Sequence, residues 1–220
     1  MERLICIGIG YLFGIFQTAF IYGKLNHIDI RDFGSGNAGT TNAMRVLGKK
    51  AGFITYFGDA LKAVFASVLI WAIFKEKSAD YLFILKIYGG LGVVLGHNFP
   101  FYMGFKGGKG IAASSGVILG LGDYKLTLIA LVTFFLIAFT TKYVSVGSLA
   151  MMLGFLVEFI VFNELSMLGL HNDMKFTGNE RIETFILVFV ISALAFIKHK
   201  ENIKRLIAGN ERKIGQKKEV

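Results

Sequence analysis

A glycine-lysine cluster is the part of this 220-residue sequence with the clearest capacity for chemistry. Within Phe105-Lys-Gly-Gly-Lys-Gly110, the lysines supply positive charge and the glycines let the backbone come close to a ligand. A helix that begins just after the cluster directs free N–H groups back at it. We therefore predict a phosphate-type anion site, formed by these side chains and the backbone N–H groups of 106–110: Lys106, Gly107, Gly108, Lys109 and Gly110.

A second polar stretch, from Ser35 to Gly48, carries hydroxyl and amide side chains that can bind an oxyanion or a polyol. Arg45 follows and can grip a phosphate with two hydrogen bonds. A helix that begins near Thr40 would place Thr41 and Arg45 on one face. The predicted ligands from this stretch are Ser35, Asn37, Thr41, Asn42 and Arg45.

Two further segments are weaker signals taken separately. In the first, Lys142 to Ser148, Tyr143 fits an interfacial anchor as well as a ligand, and Ser145 could bind substrate or cap the next helix. In the second, His199 to Leu206, Asn202 and Arg205 are three residues apart and share a helix face.

Several familiar catalytic arrangements are absent from the sequence. The cluster at 105–110 is not a Walker A loop, because the spacing differs and no Ser or Thr follows Lys109, and a plain basic turn remains the alternative. No Ser-His-Asp spacing is readable, and the His-x4-Asp dyad of soluble acyltransferases is missing because Tyr102 stands five residues after His97. One cysteine, Cys6, excludes an intramolecular disulfide, and no paired-aspartate metal motif occurs. We expect a cationic site without metal or cofactor.

The elements that must position these residues are membrane helices. The chain is 54% hydrophobic with a mean hydropathy of +0.59, which is rare for a soluble domain. We predict a single all-α domain over 1–220, an integral membrane bundle of about seven helices. The first run has no clear cleavage site and is kept as a span, not a signal peptide. The predicted spans are about 4–23, 52–74, 79–96, 110–122, 125–141, 145–163 and 184–198.

The distribution of basic residues predicts the orientation. With seven spans, one side of the membrane carries 16 Lys and Arg residues and the other six. The positive-inside rule then puts the N-terminus outside and the basic tail, 198–220, in the cytoplasm, lying on anionic lipid. If the short fourth span were re-entrant, the later segments would flip. Membrane anchoring also explains the net charge of +9 better than nucleic-acid binding.

Charged residues inside the predicted spans leave two interpretations open. Asp59 and Lys62 share a helix face and form either a structural or a catalytic pair. Lys86 and Glu158 have no evident partner. Gly10-x-x-x-Gly14 predicts close helix packing. The segment 164–183, with His171 and Asp173, is interpreted as a solvated loop that makes a poor metal site.

Taken together, the four polar segments resemble the bacterial acyl-phosphate:glycerol-3-phosphate acyltransferase family. The resemblance covers the whole chain. It rests on Ser35-Gly-Asn-Ala-Gly-Thr-Thr-Asn42 with Arg45, on Gly96-His-Asn-Phe-Pro100 with Phe105-Lys-Gly-Gly-Lys-Gly110, on Lys142-Tyr-Val-Ser145, and on His199-Lys-Glu-Asn-Ile-Lys-Arg-Leu206 with Gly209 and Glu211.

The resemblance implies an enzyme of the bacterial plasma membrane with its site at the cytoplasmic face. It would acylate the first hydroxyl of sn-glycerol 3-phosphate from a fatty acyl phosphate, giving lysophosphatidic acid and phosphate for phospholipid synthesis, with no obligate protein partner. Ser35, Arg45, His97 and Lys106 are the expected catalytic residues. His97 is either a base or only a binder. Asn37, Thr41, Asn42, Gly107, Gly108, Lys109, Gly110, Ser145, Asn202 and Arg205 are the expected substrate-binding residues.

Two other functions compete with this one. A transporter of a phosphorylated solute would use the charges within the spans, although no internal repeat is visible and the polar clusters lie at one membrane face. A lipid-binding structural subunit would not need the glycine-lysine cluster.

Overall fold

The computed structural model describes residues 1–171 and 174–216, and these form an all-helical chain. The only β-pairing in these residues is an isolated bridge between Leu168 and Met174. The helices are α1 (Glu2–Gly14), α2 (Thr18–Leu25), α3 (Thr40–Leu47), α4 (Lys49–Phe74), α5 (Ala79–Asn98), α6 (Ile111–Gly120), α7 (Tyr124–Thr141), α8 (Val144–Glu164), α9 (Gly178–Lys198) and α10 (Lys200–Ile207).

Long apolar helices confirm the predicted fold class. In the described part of the chain, five segments are long and apolar enough to cross a membrane: Glu2–Leu25, Lys49–Phe74, Ala79–Met103, Tyr124–Thr141 and Val144–Glu164. A sixth is present if α9 and α10, bent by 57°, count as one. The apolar α6 has ten residues and is about 15 Å long. The count of seven spans and the orientation of the termini stay predictions.

The first span is broken, where a continuous helix was predicted. α1 ends at Gly14, and Gln17 has an extended backbone before α2 begins. Groups at the break bond to other helices: the backbone carbonyl of Phe16 accepts from Lys62, and the buried side-chain amide of Gln17 donates to the His97 carbonyl at 2.9 Å. The break thus ties α1 and α2 to the residues of the candidate site.

α5 is the helix against which the site is built, and α1 lies very close to it. A Cβ on Gly14 would lie 2.3 Å from the Val93 carbonyl oxygen, and one on Gly96 would lie 2.4 Å from the Tyr11 carbonyl oxygen. Only glycine permits this approach, which confirms the close packing predicted from Gly10-x-x-x-Gly14. On its other side α5 contributes Phe83 to a core of rings that includes Phe159 and Phe176.

The segment 164–183 is not the solvated loop predicted from its polarity. Leu168 and Phe176 are buried, and the Asn163 side chain accepts from the Phe176 N–H at 2.8 Å. Asp123, which caps α7, also accepts from the Gly169 N–H at 3.0 Å. α9 begins at Gly178, six residues before the predicted span. His171 is exposed, and Asp173 lies outside the described residues.

The basic tail is held to the protein at a few points. α10 follows the bend after Lys198, and the Ile214 N–H donates to the Lys142 carbonyl at 2.8 Å. The Lys198 ammonium donates to the Asn98 carbonyl at 2.9 Å. The Ser145 hydroxyl at the start of α8 also donates to Glu211 of this stretch. The tail is therefore tied to the protein at these points, and its lying on anionic lipid stays a prediction. Residues 217–220 lie outside the description.

Candidate active site

The glycine-lysine cluster at 105–110 forms a turn, called here the glycine-lysine turn, that folds back over the end of α5. The Gly107 N–H donates to the Asn98 carbonyl at 3.2 Å, and the Gly108 N–H donates to the His97 carbonyl at 3.1 Å. A Cβ on Gly107 would lie 2.0 Å from the His97 carbonyl oxygen, and one on Gly108 would lie 2.2 Å from His97 Nε2. The two glycines are thus required by contact with His97.

The turn offers fewer free N–H groups than the sequence suggested. The N–H groups of Lys106, Gly107 and Gly108 already donate to backbone carbonyls, one at Met103 and two at the end of α5. In the part of the chain that the structure describes, the N–H groups of 109–113 have no acceptor, since the first helical bond of α6 is from Ser114 to Gly110. The prediction that the N–H groups of 106–110 bind phosphate is therefore corrected. The groups free to donate are those of Lys109, Gly110 and the first turn of α6.

A buried amide adjoins the same turn. Asn98 is fully buried, and neither atom of its side-chain amide has a hydrogen-bond partner in the described residues. Its Oδ1 would lie 2.8 Å from a Cβ on Gly110, whose φ of +83° also favours glycine. Buried amides are rarely left unpaired, so this one marks a place where a polar ligand group can bind.

The lysine of the turn, Lys109, is linked to the tail through the side-chain amide of Asn202, which in turn bonds to a carboxylate. The Lys109 ammonium donates to Asn202 Oδ1, and Asn202 Nδ2 donates to Glu211 Oε1 at 2.6 Å. The Arg205 guanidinium donates to Glu211 Oε2 at 2.8 Å, and the Ser145 hydroxyl donates to Oε1 at 2.9 Å. The structure therefore brings Lys109, Ser145, Asn202 and Arg205 together, as predicted.

Glu211 itself was not among the predicted site residues. It lies in a polar tail without a helical period, so no spacing marked it, and the only signal was its place in the fourth segment of the resemblance. The Ser145 hydroxyl donates to the Glu211 carboxylate. It does not cap α8, whose first turn has no side-chain cap.

The charges around Lys109 favour an anion. Burial lowers the pKa of Lys109 to about 8; Glu211 opposes the shift, and Arg205, Arg45 and Lys198 add to it. Burial also lowers the pKa of Arg45, and Arg212 contributes to that shift. These interactions place several cations around one carboxylate, an excess of positive charge that a phosphate would balance.

The polar stretch that begins at Ser35 lies against the glycine-lysine turn, with the Ala38 carbonyl oxygen 2.8 Å from a Cβ on Gly108. α3 begins at Thr40 and puts Thr41 and Arg45 one turn apart, as predicted. Ser35 and Thr41 are exposed, Asn37 is half-buried, and the Thr40 hydroxyl is buried without a partner in the described residues.

Two predicted ligands are placed differently from the rest. Asn42 is buried, and its amide holds the loop: it donates to the carbonyls of Ile30 and Phe33 and accepts from the Ser35 N–H at 2.8 Å. Lys106 is exposed, and its side chain bonds to none of the described residues.

Behind His97 lies the Asp59–Lys62 pair, which the sequence did not connect with the site. Lys62 Nζ is 2.9 Å from His97 Nδ1 and 3.0 Å from Asp59 Oδ1, and all three side chains are buried. A cavity of about 490 Å³ opens beside Lys62, between α1 and α4. Its lining is almost wholly apolar: Leu12, Phe13, Phe16, Gly58, Leu61, Lys62 and Phe65.

No group of three His, Cys, Asp or Glu residues within 1–171 and 174–216 is arranged to hold a metal ion. The side chains gathered at the end of α5 are cations, amides and hydroxyls, with an apolar cavity alongside. Such a site can bind a phosphate and hold an acyl chain next to it.

Comparison with known proteins identifies the family. The family model described as glycerol-3-phosphate acyltransferase matches residues 4–209. A glycerol-3-phosphate acyltransferase of Alkaliphilus metalliredigens is 40% identical over 222 residues, covering 100% of both chains. One from Clostridioides difficile is also 40% identical, covering 96% of this chain and 95% of that protein.

Solved structures agree with these relatives. PlsY (YgiH), an integral membrane glycerol 3-phosphate acyltransferase, has been solved in a glycerol 3-phosphate form, which is 31% identical with a TM-score of 0.80. Its lysophosphatidic acid form is 30% identical with a TM-score of 0.79. Both comparisons cover 98% of this chain and 96% of the other. The chain therefore belongs to the glycerol-3-phosphate acyltransferase family and is an integral membrane acyltransferase.

Proposed function

We propose that this enzyme transfers a fatty acyl group from acyl phosphate to the sn-1 hydroxyl of glycerol 3-phosphate, giving lysophosphatidic acid and inorganic phosphate. The observation that carries this proposal is the link from Lys109 through Asn202 to Glu211, which gathers cations at the first turn of α6. Both proposed substrates bear a phosphate that this charge would attract.

The phosphate ligands are Lys109, Arg45 and Arg205, together with the backbone N–H groups of 109–113. Lys109 is partly buried, which strengthens its attraction for an anion because fewer waters screen the charge, whereas Arg45 and Arg205 are exposed. Lys106, which is exposed, acts by attracting anionic substrate to the site. Glu211 holds Arg205 and Asn202 in place and offsets part of the positive charge.

The glycerol moiety binds at the polar stretch that begins at Ser35. Ser35, Thr41 and Asn37 have side chains available there, and they orient the hydroxyl or stabilise the oxyanion that develops during acyl transfer. Asn42 acts indirectly, because its amide atoms are used to hold the loop.

The acyl chain occupies the apolar cavity beside Lys62. The hydroxyl oxygen attacks the acyl carbonyl carbon, the new ester bond forms, and the bond from that carbon to the phosphate oxygen breaks. Acyl phosphate is an activated donor, and the departing phosphate oxygen accepts the hydroxyl proton. No redox step or added group is needed.

The proposed location is the bacterial plasma membrane, with the site at the cytoplasmic face. The cations that gather around the ends of α5, α8 and α9 support this orientation, since basic residues are enriched on the cytoplasmic side of membrane proteins.

The test is an assay of the purified protein in detergent. Labelled sn-glycerol 3-phosphate is supplied with palmitoyl phosphate in one tube and with palmitoyl-CoA in another. We expect labelled lysophosphatidic acid only with the acyl phosphate. Product from the CoA ester would show that the proposed donor is wrong. Folded protein that gives no product, but moves glycerol 3-phosphate across sealed vesicles, would show that it is a transporter.

A further inference from the structure

The Lys62 ammonium sits between three acceptors in the membrane interior. It donates to the carbonyl oxygen at the break of the first span, Phe16, and lies 3.0 Å from Asp59 Oδ1 and 2.9 Å from His97 Nδ1. An ammonium has three N–H bonds and no lone pair. Each of its three donors therefore has one partner, and His97 Nδ1 must be an acceptor.

This contact decides which nitrogen of His97 carries the proton. A neutral imidazole has one N–H and one bare nitrogen. If Nδ1 accepts from Lys62, the proton is on Nε2. A histidine in this state cannot take a proton at either nitrogen without losing the bond to Lys62, and its Nε2–H is a donor.

Asp59 keeps Lys62 in its charged form. A neutral amine could accept a bond from Nδ1–H and reverse the assignment, but Asp59 is 1% exposed and a buried carboxylate needs a counter-ion. Lys62, at 3.0 Å, supplies that counter-ion. The hydroxyl of Thr18 donates to the same carboxylate oxygen at 3.0 Å and fixes its orientation.

The other side of the ring faces the glycine-lysine turn. Nε2 would lie 2.2 Å from a Cβ on Gly108, and in the described part of the chain no group bonds to this nitrogen. An N–H donor there points at the turn that precedes α6, where the proposed function places phosphate.

We propose that Lys62, held by Asp59, is a positioning residue that fixes His97 as an Nε2–H donor to substrate phosphate, and that His97 is not the general base. This inference rests on the proposed function for the identity of the phosphate. It gives the buried pair within α4 a catalytic purpose beyond mutual neutralisation.

The protonation state can be tested without any assay of activity. The protein is labelled with 15N-histidine in detergent, and the ring protons are correlated with both nitrogens. The signal of His97 is assigned from its absence in His97→Gln. We expect a protonated Nε2 and a bare Nδ1 in the wild type. A protonated Nδ1 would overturn the proposal, whatever reaction the enzyme performs.

The tautomer should depend on Lys62. Lys62→Met keeps the apolar stem and removes the ammonium, so we expect His97 to become a mixture of tautomers, and kcat to fall about 10- to 100-fold. The control is Lys86→Met, on α5, whose ammonium is half-buried and has no hydrogen bond in the described residues. It should leave both the His97 signal and kcat close to wild type. An unchanged His97 signal and kcat in folded Lys62→Met would refute the positioning role.

Replacing His97 itself shows whether its side chain acts as a hydrogen-bond donor or as a general base. In His97→Gln the side-chain NH2 can reach the place of Nε2–H, whereas in His97→Ala no donor remains. We expect His97→Gln to keep at least about tenfold more activity than His97→Ala, the scale of one hydrogen bond to a charged group. Equal and nearly complete loss in both folded variants would indicate a base, because an amide cannot accept a proton, and would overturn the assignment. The wild-type tautomer still decides the proposal if His97→Ala or Lys62→Met fails to fold.

Discussion

The Lys109 ammonium donates a hydrogen bond to the Asn202 amide oxygen, joining a turn and a tail helix that are 93 residues apart in the sequence. The other end of that amide donates to Glu211 at 2.6 Å. The position of the lysine is therefore set from the C-terminal side of the chain, although its turn belongs to the end of α5. Changes in the tail should consequently alter phosphate binding at the turn.

Glu211→Gln tests this dependence. The glutamine keeps the size of the side chain, but it loses the charge and places an NH2 among the donors of Ser145, Asn202 and Arg205. Hydrogen bonds to charged groups contribute about 1.5–3 kcal/mol, so we expect Tm to fall by about 3–10 °C and KM for glycerol 3-phosphate to rise. Glu201→Gln is the control, since Glu201 is exposed and, among the residues that the structure describes, pairs only with Lys204 at 3.2 Å. Equal effects of the two substitutions would contradict the role of Glu211.

The pH dependence of kcat/KM for glycerol 3-phosphate should follow the ionisation of Lys109. Burial lowers the pKa of this ammonium to about 8, so it is charged below that pH and loses its charge as the pH rises through it. We expect kcat/KM for glycerol 3-phosphate to fall above about pH 8, because this parameter follows the ionisation of the free enzyme.

Lys109→Arg supplies the check on that assignment. Arginine keeps its charge to much higher pH, so the alkaline fall should move upward or disappear even if the variant is slower. Lys204→Arg, at an exposed position, should leave the profile unchanged. An alkaline fall that stays near pH 8 in Lys109→Arg would assign the titration to another group.

Sequence reasoning succeeded where local pattern determines structure. Apolar runs predicted the helices, Thr40 was correctly placed at the start of α3, and the cluster at 105–110 was correctly placed before a helix. It also grouped Lys109 with Ser145, Asn202 and Arg205, which come from three separate segments.

It failed where long-range contacts decide. At the break, the Phe16 carbonyl accepts from Lys62 and the Gln17 side chain donates to the His97 carbonyl, 80 residues away, and nothing in the local sequence signals these contacts. Asn42 has the residue type of a ligand, yet its amide is used by the loop backbone. Whether Asp59 and Lys62 belong to the site depended on the packing of α4 against α5. These outcomes depend on tertiary geometry that residue types and spacing do not determine.

Gly108→Ala should disturb the site without disturbing the bundle. Its Cβ would lie 2.2 Å from His97 Nε2 and 2.8 Å from the Ala38 carbonyl oxygen, so the turn must move away from the histidine. We expect at least about a 100-fold loss of kcat/KM, the scale seen when a reacting group is displaced by about 1 Å. Gly8→Ala is the matched control, because its Cβ would meet nothing within 4 Å. Activity near wild type in Gly108→Ala would show that the turn does not need this contact.

Asn98→Leu should separate binding from stability. The side chain is fully buried and both amide atoms lack a partner in the described residues, so the folded protein gains little from them in the absence of ligand. Leucine has the same branching at Cγ and no polar atom, so it removes the unpaired amide, and we expect Tm to be unchanged or higher. If the amide binds substrate at the turn before α6, KM for glycerol 3-phosphate should rise about 10- to 100-fold, the range for one hydrogen bond to a charged group. A lower Tm with an unchanged KM would instead assign Asn98 to holding the end of α5.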